Sequence, residues 1–336
     1  MRRLILRRLA VLPFVVLGIT LLVFFISRLI PGDPAVAFAG GATRAPPEVV
    51  ARIRHEWGLD QPIYVQYFRY AGRLLHGDFG YSNIQHGSVV TLVMRRLPAT
   101  IEVTGLALIL GVPIGLFLGV RAAWRQGSLT DHAANLLSIT GLALPLFWVP
   151  LLFIYAFSVQ LGWLPLSGRL PAFSEFHGIT GIYSLDALIR GDFSSLWTIL
   201  RHLILPAATL AIIPAAVLAR FGRATFIDVL GENYIRTAFA YGIKPRTILW
   251  KLAGKNAMLP LITLITLLIP ALIVGGVLIE SIFSWPGVGQ FLLDSLDQRD
   301  YVVIQSLTLM VGLLYVVLNL IADISYAILD PRTRRS

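Results

Sequence analysis

Residues 232–255 read ENYIRTAFAYGIKPRTILWKLAGK, and residues 256–279 continue as NAMLPLITLITLLIPALIVGGVLI, 24 positions without a charge. As a helix the second stretch is long enough to cross a bilayer, which takes about 20 apolar residues. The first stretch is amphipathic. Tyr234, Ala238 and Tyr241 fall on one helical stripe with Ile235 beside it, and Gly242 stands where a helix would end. Lys244-Pro245 then opens a second short helix, with Ile248, Leu249 and Leu252 expected against the membrane and Lys251 and Lys255 facing water. Two short helices joined by a glycine turn make an elbow at the foot of a span. Such an elbow either docks on a soluble partner and passes its motion to the span, or rests on lipid headgroups; residue spacing leaves both open.

The rest of the chain repeats this apolar pattern. Uncharged runs occur at Leu9–Ser27, Val103–Val120, Ala133–Gly168, Leu203–Ala219 and Tyr301–Ala322. The run at Ala133–Gly168 carries Pro145, Pro150 and Pro165, so only part of it is expected to span. None has the two-residue alternation of an outer-membrane strand. The chain is 56% hydrophobic and 14% charged, too little charge to cover a soluble surface. An all-α integral membrane protein with six transmembrane helices follows. The absence of cysteine excludes disulfides and thiolate metal sites.

A net charge of +10 invites a nucleic-acid reading, but its placement follows topology. With the N-terminus in the cytoplasm, the inside segments (1–8, 121–132, 220–255, 323–336) hold 16 Lys and Arg in 70 residues. The outside segments (28–102, 164–202, 280–300) hold 12 in 135. The first of these exceeds the ~60 residues over which basic charge steers orientation. Without it the contrast is 16 against 4. Both termini are therefore expected in the cytoplasm, the basic segments facing anionic lipid. Arg2, Arg3, Arg7 and Arg8 ahead of an apolar run resemble a signal peptide, and Ala37-Phe38-Ala39 offers a small-x-small site. The run outlasts the ~7–15 residues of a signal core, so a retained first helix is expected.

Between residues 31 and 99 the sequence predicts a loop with structure of its own. Pro31-Gly32-Asp33-Pro34 stops the first helix, Pro46-Pro47 opens a short helix to about Trp57, and Asp60 is expected to cap another. That helix has Pro62 in its first turn, Ile63, Tyr67, Tyr70 and Leu74 at helical spacing, and an end near Gly77. It reads equally as a cap over a pathway and as an interfacial anchor. In the second span Gly111, Gly115 and Gly119 recur every fourth residue, a pattern for close helix packing rather than for lining a pathway. Pro113, Pro260 and Pro270 permit kinks.

Several classes of function lack their residues. Arg28, Glu102, Arg220, Glu280 and Asp323 lie near predicted span ends, and no ionisable group sits mid-span to carry a coupling ion. A self-sufficient secondary carrier is therefore disfavoured. The phosphate-cradling G-x-x-x-x-G-K-[ST] loop is missing, since Gly254-Lys255 is followed by Asn256. An intramembrane hydrolase would need a nucleophile beside a base; Ser138 and Ser306 exist, but all six histidines lie in loops or at span edges. No catalytic, cofactor-binding or metal-binding residue is expected, and uphill transport would need energy from another chain.

The elbow also resembles a known family. Glu232 to Gly242, followed by Asn256-Ala257-Met258-Leu259-Pro260, is similar to the "EAA" coupling loop of ABC importer permeases, in the form found in dipeptide and oligopeptide permeases. Arg7-Arg8-Leu9, Ile30-Pro31-Gly32-Asp33-Pro34, Gly77-Asp78-Phe79-Gly80, Arg96-Leu97-Pro98-Ala99-Thr100 and Asp330-Pro331-Arg332 match that family in order. Ile282-Phe283-Ser284-Trp285-Pro286-Gly287-Val288-Gly289 is the most distinctive match. Arg236-Thr237-Ala238 replaces the general Glu-Ala-Ala, as is common in peptide permeases. Phe239 and Tyr241 stand where basic residues are usual, which makes the contact surface more apolar.

The resemblance implies the type I permease fold, with an N-terminal helix at 1–30, an extracytoplasmic region at 31–95 and a permease domain at 96–330. It implies a multi-pass protein of the bacterial inner membrane, paired with a second homologous permease above two ABC ATPases that bind ATP and Mg. A periplasmic or lipid-anchored solute-binding protein would deliver di- or oligopeptides, with glutathione or a nickel complex as the alternative cargo. Glu232, Tyr234, Arg236, Thr237, Ala238, Tyr241 and Gly242 would form the ATPase contact. Trp285, Pro286 and Gly287 would sit at the outer mouth or simply form a structural turn.

Overall fold

A backbone surrounded by hydrocarbon must satisfy its own hydrogen bonds, so the long uncharged runs fold as long helices. The structure, a computed structural model, describes residues 2–29, 33–39, 46–171, 174, 176 and 178–329. The turn expected at Pro31-Gly32 and the Asp330-Pro331-Arg332 motif lie outside the described residues. In chain order the helices are α1 (Arg2–Leu29), α2 (Pro34–Phe38), α3 (Pro47–Trp57) and α4 (Ile63–Leu75). The antiparallel strands β1 (Tyr81–Ser82) and β2 (Gly87–Ser88) precede α5 (Val89–Trp124) and α6 (Leu129–Ala143). Next come α7 (Trp148–Phe153) with a π-helical turn to Gln160, α8 (Tyr183–Arg190), α9 (Phe193–Leu230) and α10 (Asn233–Ala240). α11 (Pro245–Thr247), a π-helical turn over Ile248–Ala253, α12 (Gly254–Ile282), α13 (Val288–Asp297) and α14 (Tyr301–Leu329) complete the chain.

Among the described residues five unbroken helical stretches are long and apolar enough to cross a membrane: Ala10–Arg28, Val89–Trp124, Phe193–Leu230, Pro245–Ile282 and Tyr301–Ile321. One further pair, Leu129–Ala143 and Trp148–Gln160, is long and apolar enough only when taken together and meets at 113°, the geometry of a broken span or a re-entrant loop. The break falls at Leu144, whose φ −73° and ψ 137° are extended, because the ring of Pro145 disfavours a helical residue before it. α12, by contrast, runs through Pro260 and Pro270 without interruption.

The chain forms two compact units. In the first, residues 101–285 with the end of α14, α9 is the central helix. About two thirds of its apolar window (67%) is buried, against 17% for α1 in the other unit. α5 approaches it at Gly111, Gly115 and Gly119. A Cβ on these glycines would lie 2.5, 2.7 and 3.0 Å from the carbonyl oxygens of Ala211, Ala215 and Ala219. The four-residue glycine repeat thus meets a four-residue alanine repeat, backbone against backbone, where only small residues fit. On α6, Gly141 sits against Ala216, and the Ser138 hydroxyl donates to the Ala216 carbonyl at 3.2 Å.

The second unit comprises residues 2–100 and 286–317. Its core gathers Phe38 and Ile53 from the 31–99 region, Val89, Leu92 and Val93 from α5, and Phe291, Val302, Val303 and Leu307 from the far end of the sequence. α3 stops at Gly58, left-handed at φ +60°. Asp60 does not cap α4. Pro62 occupies that position with no side-chain cap bond, its fixed φ setting the entry, and the Asp60 carboxylate accepts from Gln61 instead. Of the expected stripe on α4, Tyr70 is buried, Tyr67 and Leu74 are partly so, and Ile63 is exposed.

Candidate functional site

α9 continues past its apolar run to Leu230, so Arg220 and Arg223 ride on a helix rather than in a loop. At ~1.5 Å per residue its 38 residues extend ~57 Å, well beyond a ~30 Å hydrocarbon core. Arg223 grips Asp131 at the start of α6 with two hydrogen bonds, Nε to Oδ1 at 2.6 Å and Nη2 to Oδ2 at 3.1 Å. The Gly127 amide donates to the same carboxylate at 2.9 Å. Two segments 92 residues apart are thereby fastened together.

α10 follows directly. Its buried stripe is Ile235 and Ala238, packed on Ile248, Ala253, Val229, Leu230 and Leu252. This corrects the expected stripe: Tyr234 is 41% and Tyr241 83% exposed, and neither belongs to the buried contact. Helical spacing places all these residues on neighbouring faces, and a β-branched alkyl group gains more from burial than a phenol that must keep its hydroxyl wet. The Asn256 amide donates to the Tyr234 hydroxyl at 2.8 Å, and Phe239 stacks on Trp124 with centroids 6.4 Å apart.

Gly242 closes α10 at φ +72°. Its amide donates to the Phe239 carbonyl at 2.9 Å and that of Ile243 to Ala238 at 3.1 Å, the paired bonds of a Schellman turn. The second arm is not a separate helix. α11 runs through the π-helical turn 248–253 into α12 as one helical stretch from Pro245 to Ile282. Ile248 is fully buried beneath α10 instead of facing lipid, while Lys251 and Lys255 are exposed as expected. The elbow is thus one short helix seated on the base of a span. Glu232, Arg236 and Thr237 are exposed, and with Tyr241 and half-exposed Phe239 they form the outer surface of α10.

Trp285 lies in a different environment. The amides of Ser284 and Trp285 donate to the carbonyls of Ser281 (3.1 Å) and Glu280 (2.7 Å), ending α12 in another Schellman turn with Ser284 at φ +48°. Trp285 is completely buried, and the Arg169 guanidinium lies 5.7 Å from its ring centroid. Arg169 also stacks on Tyr183 at 3.7 Å and donates to Glu102 through Nε (2.9 Å) and Nη2 (2.5 Å) and to the Gly181 carbonyl. Glu102 accepts a further bond from the Ser184 amide at 2.6 Å. Nearby, Asp186 is buried against ionisation, yet donors from Thr180 and Gly181 outweigh that cost and hold its carboxyl below the usual range. Pro286 and Gly287 belong to the other unit, where Pro286 is exposed and buried Gly287 precedes α13.

Sequence reading gave no role to Arg169, and treated Glu102 only as a span-end charge. Its one legible sign was an acidic residue at the edge of an apolar run. Among the described residues no group of three His, Cys, Asp or Glu side chains is placed to hold a metal.

Residues 111–335 match the family described as "Binding-protein-dependent transport system inner membrane component". Residues 1–104 match "Binding-prot-dependent transport system membrane comp, N-term". The chain belongs to this family. It is a permease of the inner membrane. The chain is similar to the di/tripeptide transport system permease protein DppB of Pseudomonas aeruginosa, 41% identical over 98% of this chain and 97% of that one. The dipeptide transport system permease protein DppB of Escherichia coli is 39% identical over 99% of both chains. The oligopeptide transport system permease protein AppB of Bacillus subtilis is 40% identical over 95% of both. In this permease the Glu232–Gly242 motif falls on α10 and its turn.

Proposed function

We propose that this permease carries di- and oligopeptides across the inner membrane as part of an ATP-driven importer, and that its 232–255 elbow receives the stroke of an ATPase subunit. The observation that supports this most is the two-sidedness of α10: Ile235 and Ala238 are buried at the base of α12, while Glu232, Arg236 and Tyr241 are exposed. A force on the outer side reaches the span through packed side chains, with no flexible linker in between. The similarity to peptide permeases supplies the cargo.

In this reading both termini are cytoplasmic, a second homologous permease completes the pathway, and two ATPases sit beneath the pair. A solute-binding protein delivers the peptide, and ATP and Mg bind the ATPases, so this chain hydrolyses nothing. ATP favours the closed ATPase dimer, and that difference in affinity moves the permease pair between inward- and outward-facing states; a few kcal/mol inverts a modest bias. Glu232, Tyr234, Arg236, Thr237, Tyr241 and Gly242 make or shape the ATPase contact, and Ala238 holds the helix to its seat. Trp285 serves as a structural anchor under Arg169, with Pro286 and Gly287 forming the turn into α13.

The test is cross-linking and transport together. A Tyr241→Cys variant should cross-link to an ATPase subunit, and proteoliposomes should accumulate dipeptide when ATP and the binding protein are both supplied. Uptake by the purified chain alone under an ion gradient would overturn the proposal.

A further inference from the structure

α4 presents three distinct faces. Tyr67, Tyr70 and Leu74 pack with Val23 and Phe24 of α1 and Leu309 of α14. Gln66, Arg69 and Arg73 form a polar face: Gln66 accepts from Arg28 at 2.7 Å, Arg69 lies against Gly58, and Arg73 stands over the Trp57 ring at 4.8 Å. The third face is Tyr64, Phe68, Ala71 and Leu75, recurring at i, i+4, i+7 and i+11. Its large side chains are 63%, 71% and 88% exposed. At ~100° per residue this apolar stripe lies roughly opposite the polar face.

The packed face fixes the depth of the helix. Thr20 and Tyr67 share a hydrogen bond between their hydroxyls at 3.0 Å, and the Tyr67 ring meets Phe24 edge-on at 5.3 Å. Thr20 and Phe24 lie inside the membrane-crossing stretch Ala10–Arg28. From Thr20 to Arg28 the α-helical rise is ~12 Å, so α4 is held against the last ~12 Å of that span. Arg28, bound to the polar face of α4, marks the water side, and the stripe 64/68/71/75 points the other way, toward hydrocarbon. We propose that α4 is embedded at the boundary of headgroups and acyl chains, and that the acyl chains of that leaflet cover Tyr64, Phe68, Ala71 and Leu75. The segment is then an anchor that holds the 46–88 region flat on the membrane surface, rather than a cap over the pathway. The inference does not depend on the solute carried.

The chain has no cysteine, so single sites can be labelled without background from it. Phe68→Cys, Leu75→Cys and, on the polar face, Arg69→Cys would each carry a nitroxide in the assembled transporter, with partner cysteines removed, in phosphatidylcholine–phosphatidylglycerol liposomes. Collision with oxygen and with a water-soluble nickel chelate reads the surroundings. The expected result is an oxygen-to-nickel ratio at 68 and 75 several-fold above that at 69. Equal ratios at all three sites would place the stripe in water and overturn the proposal. Labels at 68 and 75 shielded from both probes would also overturn it, by showing a protein cover.

Discussion

Two regions of the first unit differ in how they treat polar and aromatic groups. Around Arg169 everything is turned inward: the guanidinium is 8% exposed, Glu102 and Trp285 are buried, and each charge meets its partner within the chain. Around α10 the Tyr241 ring is 83% exposed, and the helix is held by the buried pair Ile235 and Ala238, the stack of half-exposed Phe239 on Trp124 and the bond from Asn256 to Tyr234. A buried ion pair repays its desolvation only when every member is satisfied, which makes such a cluster rigid and self-sufficient. An exposed apolar surface is left unsatisfied by its own chain and gains by meeting another. The first region reads as a fixed joint and the second as a handle.

Five substitutions, two of them at one ion pair, would break or sharpen this contrast. Arg169→Ala leaves Glu102 buried without its cation and should lower stability in detergent by about 3–5 kcal/mol, read from thermal unfolding. Pairing it with Glu102→Gln should recover most of the loss, and a loss in the single variant no larger than at a surface site would end the idea of a rigid joint. Ile235→Ala opens a cavity under α10 and should cost about 2–4 kcal/mol, with uptake falling while ATP hydrolysis persists. Gly242→Ala meets no neighbouring atom within 4 Å, so its cost should be only that of the left-handed backbone, about 1 kcal/mol in the same assay. Tyr241→Ala should change stability by less than about 0.5 kcal/mol yet reduce ATP-dependent uptake several-fold. Normal uptake in that variant would take the handle away.

Much of the fold was legible because the bilayer imposes simple demands. The uncharged runs mark the spans, Pro145 marks the place where the bent one breaks, and Pro46-Pro47 and Gly242 mark helix ends through their restricted or permissive φ. The site was legible in part. The candidate elbow at 232–255 came from spacing and motif, but the choice of Ile235 over Tyr234 and Tyr241 as the seated residue did not, since helical neighbours 100° apart compete for the same contact. The pairs Glu102–Arg169 and Asp131–Arg223 span 67 and 92 residues, and sequence order holds no distance between such groups.

The sequence by itself determined that this is a helical membrane protein, where its spans run and which family it joins, since these depend on local hydropathy, turn chemistry and ordered motifs. Only the tertiary structure decided which face of α10 is seated, that its second arm is continuous with α12, and which face of α4 packs on α1. Those outcomes depend on which side chains meet across distant segments, and a linear pattern specifies which faces exist without specifying what each will touch.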